Sequence, residues 1–256
     1  MPAALRQPET FTPTLADCYI GPLAGFIAPQ VGGKAPLNAL NVSRWREQAW
    51  LENDLAAFAA QYPDGDRRAI VSIWSRWHFS CLTIATLAGN LLLNRDLPVG
   101  LDEAQIIFNE EGASQQLWLA HEGTPLTTHD PRQRFATLIE GHWAPLIERL
   151  AAISGAAPRV FWSNAGGYFD YYANALAEHP MAHAEAVAAA RALLDTKTFD
   201  DGTRNPLFQP IRRLPSKEGG EEKRVRKICC LRYLLPQFGV CGNCPLEGCD
   251  RSARRR

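Results

Sequence analysis

The sequence predicts an α+β protein, mainly α-helical, with one or two small antiparallel β-hairpins and a C-terminal cysteine cluster module. Three observations carry that prediction. A long apolar segment from Ala69 to Leu93 and a helical-period stripe from Phe135 to Leu150 read as core helices. Two pairs of short apolar runs flank glycine-bearing turns. Five of the seven cysteines fall after residue 211.

The elements follow in chain order. Residues 1–34 are rich in Pro, Gly and Thr and read as an irregular N-terminal segment with one short helix. Val42 to Ala60 reads as a helix, with Ser43 as its N-cap and Trp45, Leu51, Leu55 and Phe58 on its apolar face. The turn Tyr62-Pro63-Asp64-Gly65-Asp66 ends it, and Asp66 can cap the long helix to Leu93. Leu97-Pro98 then bars helix. Residues 105–108 and 116–119 flank Glu110 to Ser114 as a hairpin. Asp130-Pro131 supplies an N-cap and a first helical position. Phe135, Leu138, Ile139, His142, Trp143, Leu146, Ile147 and Leu150 follow at helical spacing. Arg159 to Trp162 reads as a short apolar run, Ser163 to Gly167 as a break, and Tyr168 to Leu176 as an aromatic helix. A further helix spans Met181 to Leu194. Phe208–Leu214 and Arg224–Cys230 form a second hairpin around Glu218-Gly219-Gly220.

Composition narrows the function classes. With 46% apolar and 21% charged residues, the 256-residue chain can fill a sizeable core. The 27 basic and 27 acidic residues balance, which argues against a nucleic-acid coat. The balance is uneven along the chain: residues 211–256 hold 12 basic residues against five acidic ones. This shift marks a module of its own, leaving 35–210 as the mainly helical domain. No apolar leader is visible at the N-terminus. Arg76 and His78 interrupt the Ala69–Leu93 stretch, and the remaining run of about 15 residues is short of the ~20 that span a bilayer.

The chemistry concentrates in the cysteines. Cys229 and Cys230 are adjacent, Cys241 and Cys244 form a Cys-x-x-Cys knuckle, and Cys249 follows. Converging thiolates suit a soft or borderline metal centre. Adjacent residues of an extended chain point to opposite sides, so Cys229 and Cys230 can share a centre only if the backbone bends. A [2Fe–2S] rhomb, longer than a single ion, tolerates such a spread ligand set. Structural zinc usually takes two knuckles, and one is present here. A vicinal disulfide is strained, and ordinary disulfides need an oxidising compartment. Spacing alone leaves iron–sulfur and zinc both open.

Other candidates carry less. His142 lies on the apolar stripe and reads as a hydrogen-bonded core residue, and His78 as helix packing. His179 and His183 straddle Pro180 and make a poor metal pair. Cys18 and Cys81 read as isolated thiols. Tyr168, Tyr171 and Tyr172 suit core or rim, with a ligand pocket as the alternative. Arg251 to Arg256 reads as a solvated tail. No Gly-x-Gly-x-x-Gly fingerprint occurs, so no bound NAD or flavin is expected.

The cysteine pattern occurs with Ala35-Pro36-Leu37-Asn38-Ala39, Ser72-Ile73-Trp74-Ser75-Arg76-Trp77, Phe161-Trp162-Ser163-Asn164, Asn205-Pro206-Leu207-Phe208 and residues 226–233. Together these resemble the ferric siderophore reductase family of the FhuF type, over roughly residues 35–246. The resemblance implies a [2Fe–2S] cluster on Cys229, Cys230, Cys241 and Cys244, with no catalytic residue beyond the cluster. It implies one-electron reduction of a ferric siderophore of hydroxamate type, with release of iron in the cytoplasm. A separate electron donor, a ferredoxin or an NAD(P)H-dependent reductase, would be needed. Cytoplasmic placement leaves room for peripheral association at the inner face of the membrane. Arg224, Arg226, Lys227 and Arg232 are then candidates to offset cluster charge or dock an acidic donor. The sequence departs from the family pattern after Cys244, where Cys249 is a spare thiol or alternative ligand. Two readings compete: a binding protein stabilised by zinc on four cysteines, and a siderophore-binding relative without turnover.

Overall fold

The computed structural model describes residues 12–214 and 222–246. One helix organises it. Helix α2 (Arg67–Leu87) starts where the Asp66 carboxylate accepts the Arg68 N–H at 2.9 Å, as the sequence predicts. Nearly every side chain from Ala69 to Ser75 and from Leu82 to Leu87 is buried, so the helix is covered on most sides. Its main partner is α6 (Pro158–Leu176). Helices α1 (Gln48–Ala59) and α5 (Ala144–Ser154) and the sheet pack on the remaining faces.

The hairpin of β4 (Gln105–Phe108) and β5 (Ser114–Leu119) forms as expected, with Ile106 opposite Leu117. Gly112 sits in its turn at φ +75°, where an added Cβ would meet the Phe58 N at 2.9 Å. Two short strands extend this sheet to the order β1-β5-β4-β2. Strand β1 (Gln30–Val31) pairs parallel with β5, and β2 (Ala39–Asn41) pairs antiparallel with β4. A separate two-stranded ribbon joins β3 (Arg95–Asp96) to β6 (Thr124–Pro125). The N-terminal stretch is mostly irregular but not peripheral: Leu15, Cys18 and Leu23 are buried in the same core as α2.

Four local expectations change. Val42–Arg46 is a 3-10 turn capped by the Asn41 side chain, not by Ser43, and extended backbone at Glu47 separates it from α1. The long helix closes in a wide turn at Ala88–Leu92. The Phe135–Leu150 stripe is buried as expected, with Ile139 only partly so. It is divided among α3 (Pro131–Arg134), α4 (Ala136–Leu138), a wide turn at Ile139–Trp143, and α5. Ser163 to Gly167 is not a break: α6 runs straight through it. A Cβ on Gly166 would lie 3.0 Å from Pro210 Cβ, so this glycine admits a close neighbour rather than ending the helix. Helix α7 (Ala184–Asp195) completes the helical layer.

Three of the six histidines, His78, His142 and His179, are buried in structural contacts. The His142 Nδ1–H donates to the Val99 carbonyl at 2.7 Å, which leaves its Nε2 to accept from His78 Nε2–H at 2.9 Å. The Ser114 hydroxyl then donates to His78 Nδ1 at 3.0 Å. Trp74 stacks on His78 with ring centroids 5.3 Å apart. His179 is spent on the Cys18 carbonyl. Burial pushes the Cys18 and Cys81 thiols up to about 12.

The second hairpin is present as β7 (Ile211–Leu214) and β8 (Lys223–Arg226), antiparallel, with Ile211 opposite Arg226. Its Glu218-Gly219-Gly220 turn, Cys249 and Arg251 to Arg256 lie outside the described residues. From β8 the chain runs to the cysteines. Leu235 is buried in the main core, and an added Cβ on Gly65 would lie 2.7 Å from its Cδ2.

Candidate metal centre

The four motif cysteines come together. Cys230, Cys241 and Cys244 form a small buried cluster, with Cys229 packed against it. The Cys230 and Cys241 sulfurs are 3.9 Å apart. The bend that an adjacent cysteine pair requires is supplied by Leu231, which adopts the left-handed conformation at φ +63° before a 3-10 turn at Arg232–Leu234. The Leu231 N–H then donates back to the Cys229 sulfur at 3.3 Å. The knuckle has the same device: the Leu246 N–H donates to the Cys244 sulfur at 3.4 Å, and the Cys244 N–H closes the turn on the Cys241 carbonyl at 3.0 Å.

Three anchors fix these loops to the helical body. The Arg226 N–H donates to the Asn243 carbonyl at 2.9 Å, which ties the knuckle to β8. The Ser72 hydroxyl of α2 donates to the Cys230 carbonyl at 2.8 Å. The Ser163 hydroxyl of α6 donates to the Ile228 carbonyl at 3.2 Å. Asn164 joins the helices by donating to the Ser72 carbonyl and to the Ser72 and Ser75 hydroxyls, each at 3.0 Å.

The surroundings are cationic. Arg226 is 3% exposed, and its Nη2 donates to the Asn164 side-chain carbonyl. Its Nε, and the buried Nε atoms of Arg76 and Arg232, find no hydrogen-bond partner in the structure. Burial pushes the Arg226 guanidinium down, against an opposing pull from the Cys230 and Cys241 sulfurs. Burial also opposes the Arg76 charge, but the Tyr168 hydroxyl and the Cys230 sulfur outweigh it and leave Arg76 above its ordinary value. Hydrogen bonds from the Cys229 and Cys241 thiols, with help from Arg226, hold the Cys230 thiol well below the usual range. Accepting at Cys230 and burial push Cys229 and Cys241 up.

This donor set fits an iron–sulfur cluster. An all-cysteine [2Fe–2S] cluster is a dianion when oxidised and a trianion when reduced, so unpartnered guanidinium N–H groups beside the thiols have a counter-charge to meet. Backbone N–H donors to ligand sulfurs are a lever on cluster potential. Among the described residues, no group of three or more His, Cys, Asp or Glu side chains is close enough to hold a metal ion, so the four thiols are gathered in one place without being closed on a single point.

Of the basic residues singled out in the sequence, Arg226 and Arg232 lie at the site. Arg224 turns away to pair with Asp170, and Lys227 lies over the Phe208 ring at 4.8 Å. Sequence reasoning missed Arg76, Ser72, Ser163 and Asn164 as parts of the site. Their signals are polarity inside otherwise buried helices and their place in the Ser72–Trp77 and Phe161–Asn164 segments that carry the family resemblance.

Comparison with known proteins identifies the family of the helical body and of the cysteine segment. The family described as "Ferric iron reductase FhuF-like transporter" matches residues 72–221. The "FhuF 2Fe-2S C-terminal domain" matches residues 226–246, the segment that carries all four cysteines. A relative named "Ferric siderophore reductase", from Escherichia coli (strain K12), is 27% identical over 224 residues, covering 83% of this chain and 81% of its own.

Proposed function

This chain belongs to the FhuF-like ferric iron reductase family, and from that premise we propose that it reduces ferric siderophores of hydroxamate type by one electron, releasing iron in the cytoplasm. Residues 211–256 act as the electron-transfer module, and Cys229, Cys230, Cys241 and Cys244 hold its [2Fe–2S] cluster. The observation that carries the reading is the gathering of these four thiols under three cationic side chains with unpartnered N–H groups.

The bound cluster supplies a single electron at low potential. The protein's own residues do the rest. Leu231 turns the chain so that both members of the cysteine pair serve one centre. Ser72, Ser163 and Asn243 hold the loops rigid, which keeps reorganisation small when the charge changes. Arg226 offsets the charge from inside. Cys229 is the least buried of the four and marks the side from which electrons arrive.

The donor is a separate acidic protein. Support comes from the β7–β8 hairpin, where Arg212 and Arg213 are exposed and Arg213 lies opposite Arg224 in register. No helix among the described residues is long and apolar enough to cross a membrane.

The test is anaerobic purification with visible absorption and iron, sulfide and zinc analysis on one sample. A red-brown protein with equal iron and sulfide that reduces a ferric trihydroxamate is expected. A colourless protein with one tight zinc, unchanged by cluster reconstitution, would overturn the proposal in favour of a zinc-stabilised binding protein.

A further inference from the structure

Helix α2 is buried along most of its length, yet Trp77 at its middle is 56% exposed. Two hollows open beside it. One, of about 360 Å³, is lined by Arg76, Trp77, Tyr168, Arg232 and Phe238 among others. The other, of about 310 Å³, is lined by Phe26, Ile27, Pro29, Trp77 and Ser80 among others. They meet at Trp77 and Ser80 and together have the size of a small-molecule site.

The first hollow borders the cysteine centre. Arg232 follows Cys230 by two positions and lies over the Phe238 ring at 4.7 Å. Arg76 lies beside Tyr168, and its charge is favoured by Tyr168, Cys230 and Cys241. The Nε atoms of both arginines are buried away from the cavity, so a ligand there would meet their terminal guanidinium nitrogens. Two arginines and four aromatic side chains, Tyr62, Trp77, Tyr168 and Phe238, thus line one cavity, and both arginines also stand beside the cysteine centre.

We propose that the ferric siderophore binds in this cavity, with Trp77, Tyr168 and Phe238 against its carbon skeleton and Arg76 and Arg232 as catalytic residues at its iron-binding oxygens. This assignment rests on the reductase reading above. A ferric trihydroxamate core carries no net charge. When it takes one electron from the reduced cluster, no bond breaks and no proton moves, the ferrous core becomes a monoanion, and the cluster is oxidised by one electron. The charge that appears is negative and sits on the oxygens facing the guanidinium groups. Donors aimed at developing charge in a partly desolvated site favour the product over the starting complex. The cavity therefore selects a compact neutral complex with acceptor oxygens and makes it easier to reduce.

The experiment uses the holoprotein and two probes: a ferric trihydroxamate for turnover, and its gallium(III) analogue, equal in charge but not reducible, for binding. W77A and F238A are expected to weaken gallium-complex binding about tenfold or more, the effect of losing ~1.4 kcal/mol of contact. R232Q is expected to leave that affinity within about threefold while lowering single-turnover reduction about 10- to 100-fold. R76Q should match it, and R76K should recover part of the rate. Cluster content and midpoint potential are measured in every variant. Removing a positive charge lowers the cluster potential and strengthens it as a reductant, so a slower rate at a lower potential cannot arise through the cluster. Unchanged gallium binding in W77A, or a wild-type rate in R232Q, overturns the site. If wild-type holoprotein reduces the complex and these variants retain its kcat/KM, the cavity assignment fails and the reductase reading stands. If wild-type holoprotein binds the gallium complex but fails to reduce the ferric one, the reductase reading fails and takes the arginine role with it.

Discussion

The hydroxyl of Ser72 donates to the carbonyl of Cys230 across 158 positions of sequence. It ties the central helix directly to the ligand loop, so the position of the metal centre depends on a residue with no metal chemistry of its own. S72A leaves a buried carbonyl without its donor and should destabilise the holoprotein by about 1–3 kcal/mol. Urea denaturation followed by circular dichroism reads that cost. Loss below a few tenths would mean that the loop is held elsewhere.

Each of the four cysteines should be necessary. C229S, C230S, C241S and C244S are each expected to lose the visible absorption and the reductase activity together. A single variant that keeps both would remove that residue from the ligand set, and C249S serves as the control expected to keep them.

Arg226 lies buried beside the thiols, and a positive charge there favours the more negative, reduced state. R226Q should therefore lower the midpoint potential in a redox titration of the holoprotein. An unchanged potential would show that Arg226 contributes structure, through its bond to Asn164, and not charge.

The buried histidine pair makes the fold sensitive to acid. Burial holds His142 down at about 4 and His78 well below its ordinary value. The unfolded chain takes up these protons near pH 6.5 while the folded protein resists them, so stability is intact above 6.5 and falls as the pH drops toward 4. For His142 alone the loss is on the order of 3 kcal/mol. H142N retains a donor for the Val99 carbonyl, and its stability should fall less steeply across that window. Parallel pH profiles would exclude the pair as the cause.

An acidic donor docking on the β7–β8 hairpin should be slowed by salt. Paired substitutions R212E and R213E are expected to raise the KM for the donor several-fold and leave dithionite-driven reduction of the cluster unchanged. Insensitivity to both salt and charge reversal would move the docking surface elsewhere.

Much of this fold is legible in the sequence because its signals are local. Asp66 announces α2, Asp130-Pro131 announces α3, and the stripe from Phe135 to Leu150 is buried almost as its spacing requires. The cysteine pattern points to the metal centre for the same reason. The rest depends on distant partners. Gly166 and Gly167 read as a helix break, but packing of Gly166 against Leu207 and Pro210 keeps α6 continuous, so tertiary contact overrides local propensity. Strands β1 and β2 are too short to show a period of two. Arg76 reads as an interruption in an apolar helix, because the thiols and the cavity that give it a role are supplied by chain more than 90 positions away.

The seat of Leu235 against Gly65 has a consequence for biosynthesis. A nascent chain emerges from the ribosome N-terminus first, so α2 appears long before the residue that closes its first turn. Until Leu235 is translated, that hollow stays open and Ser72 has no ligand loop to hold. The helical body must wait, incomplete, for the segment that carries the cysteines. Closure of the main core at Leu235 and placement of the cysteine loop on Ser72 therefore depend on the same late-emerging segment.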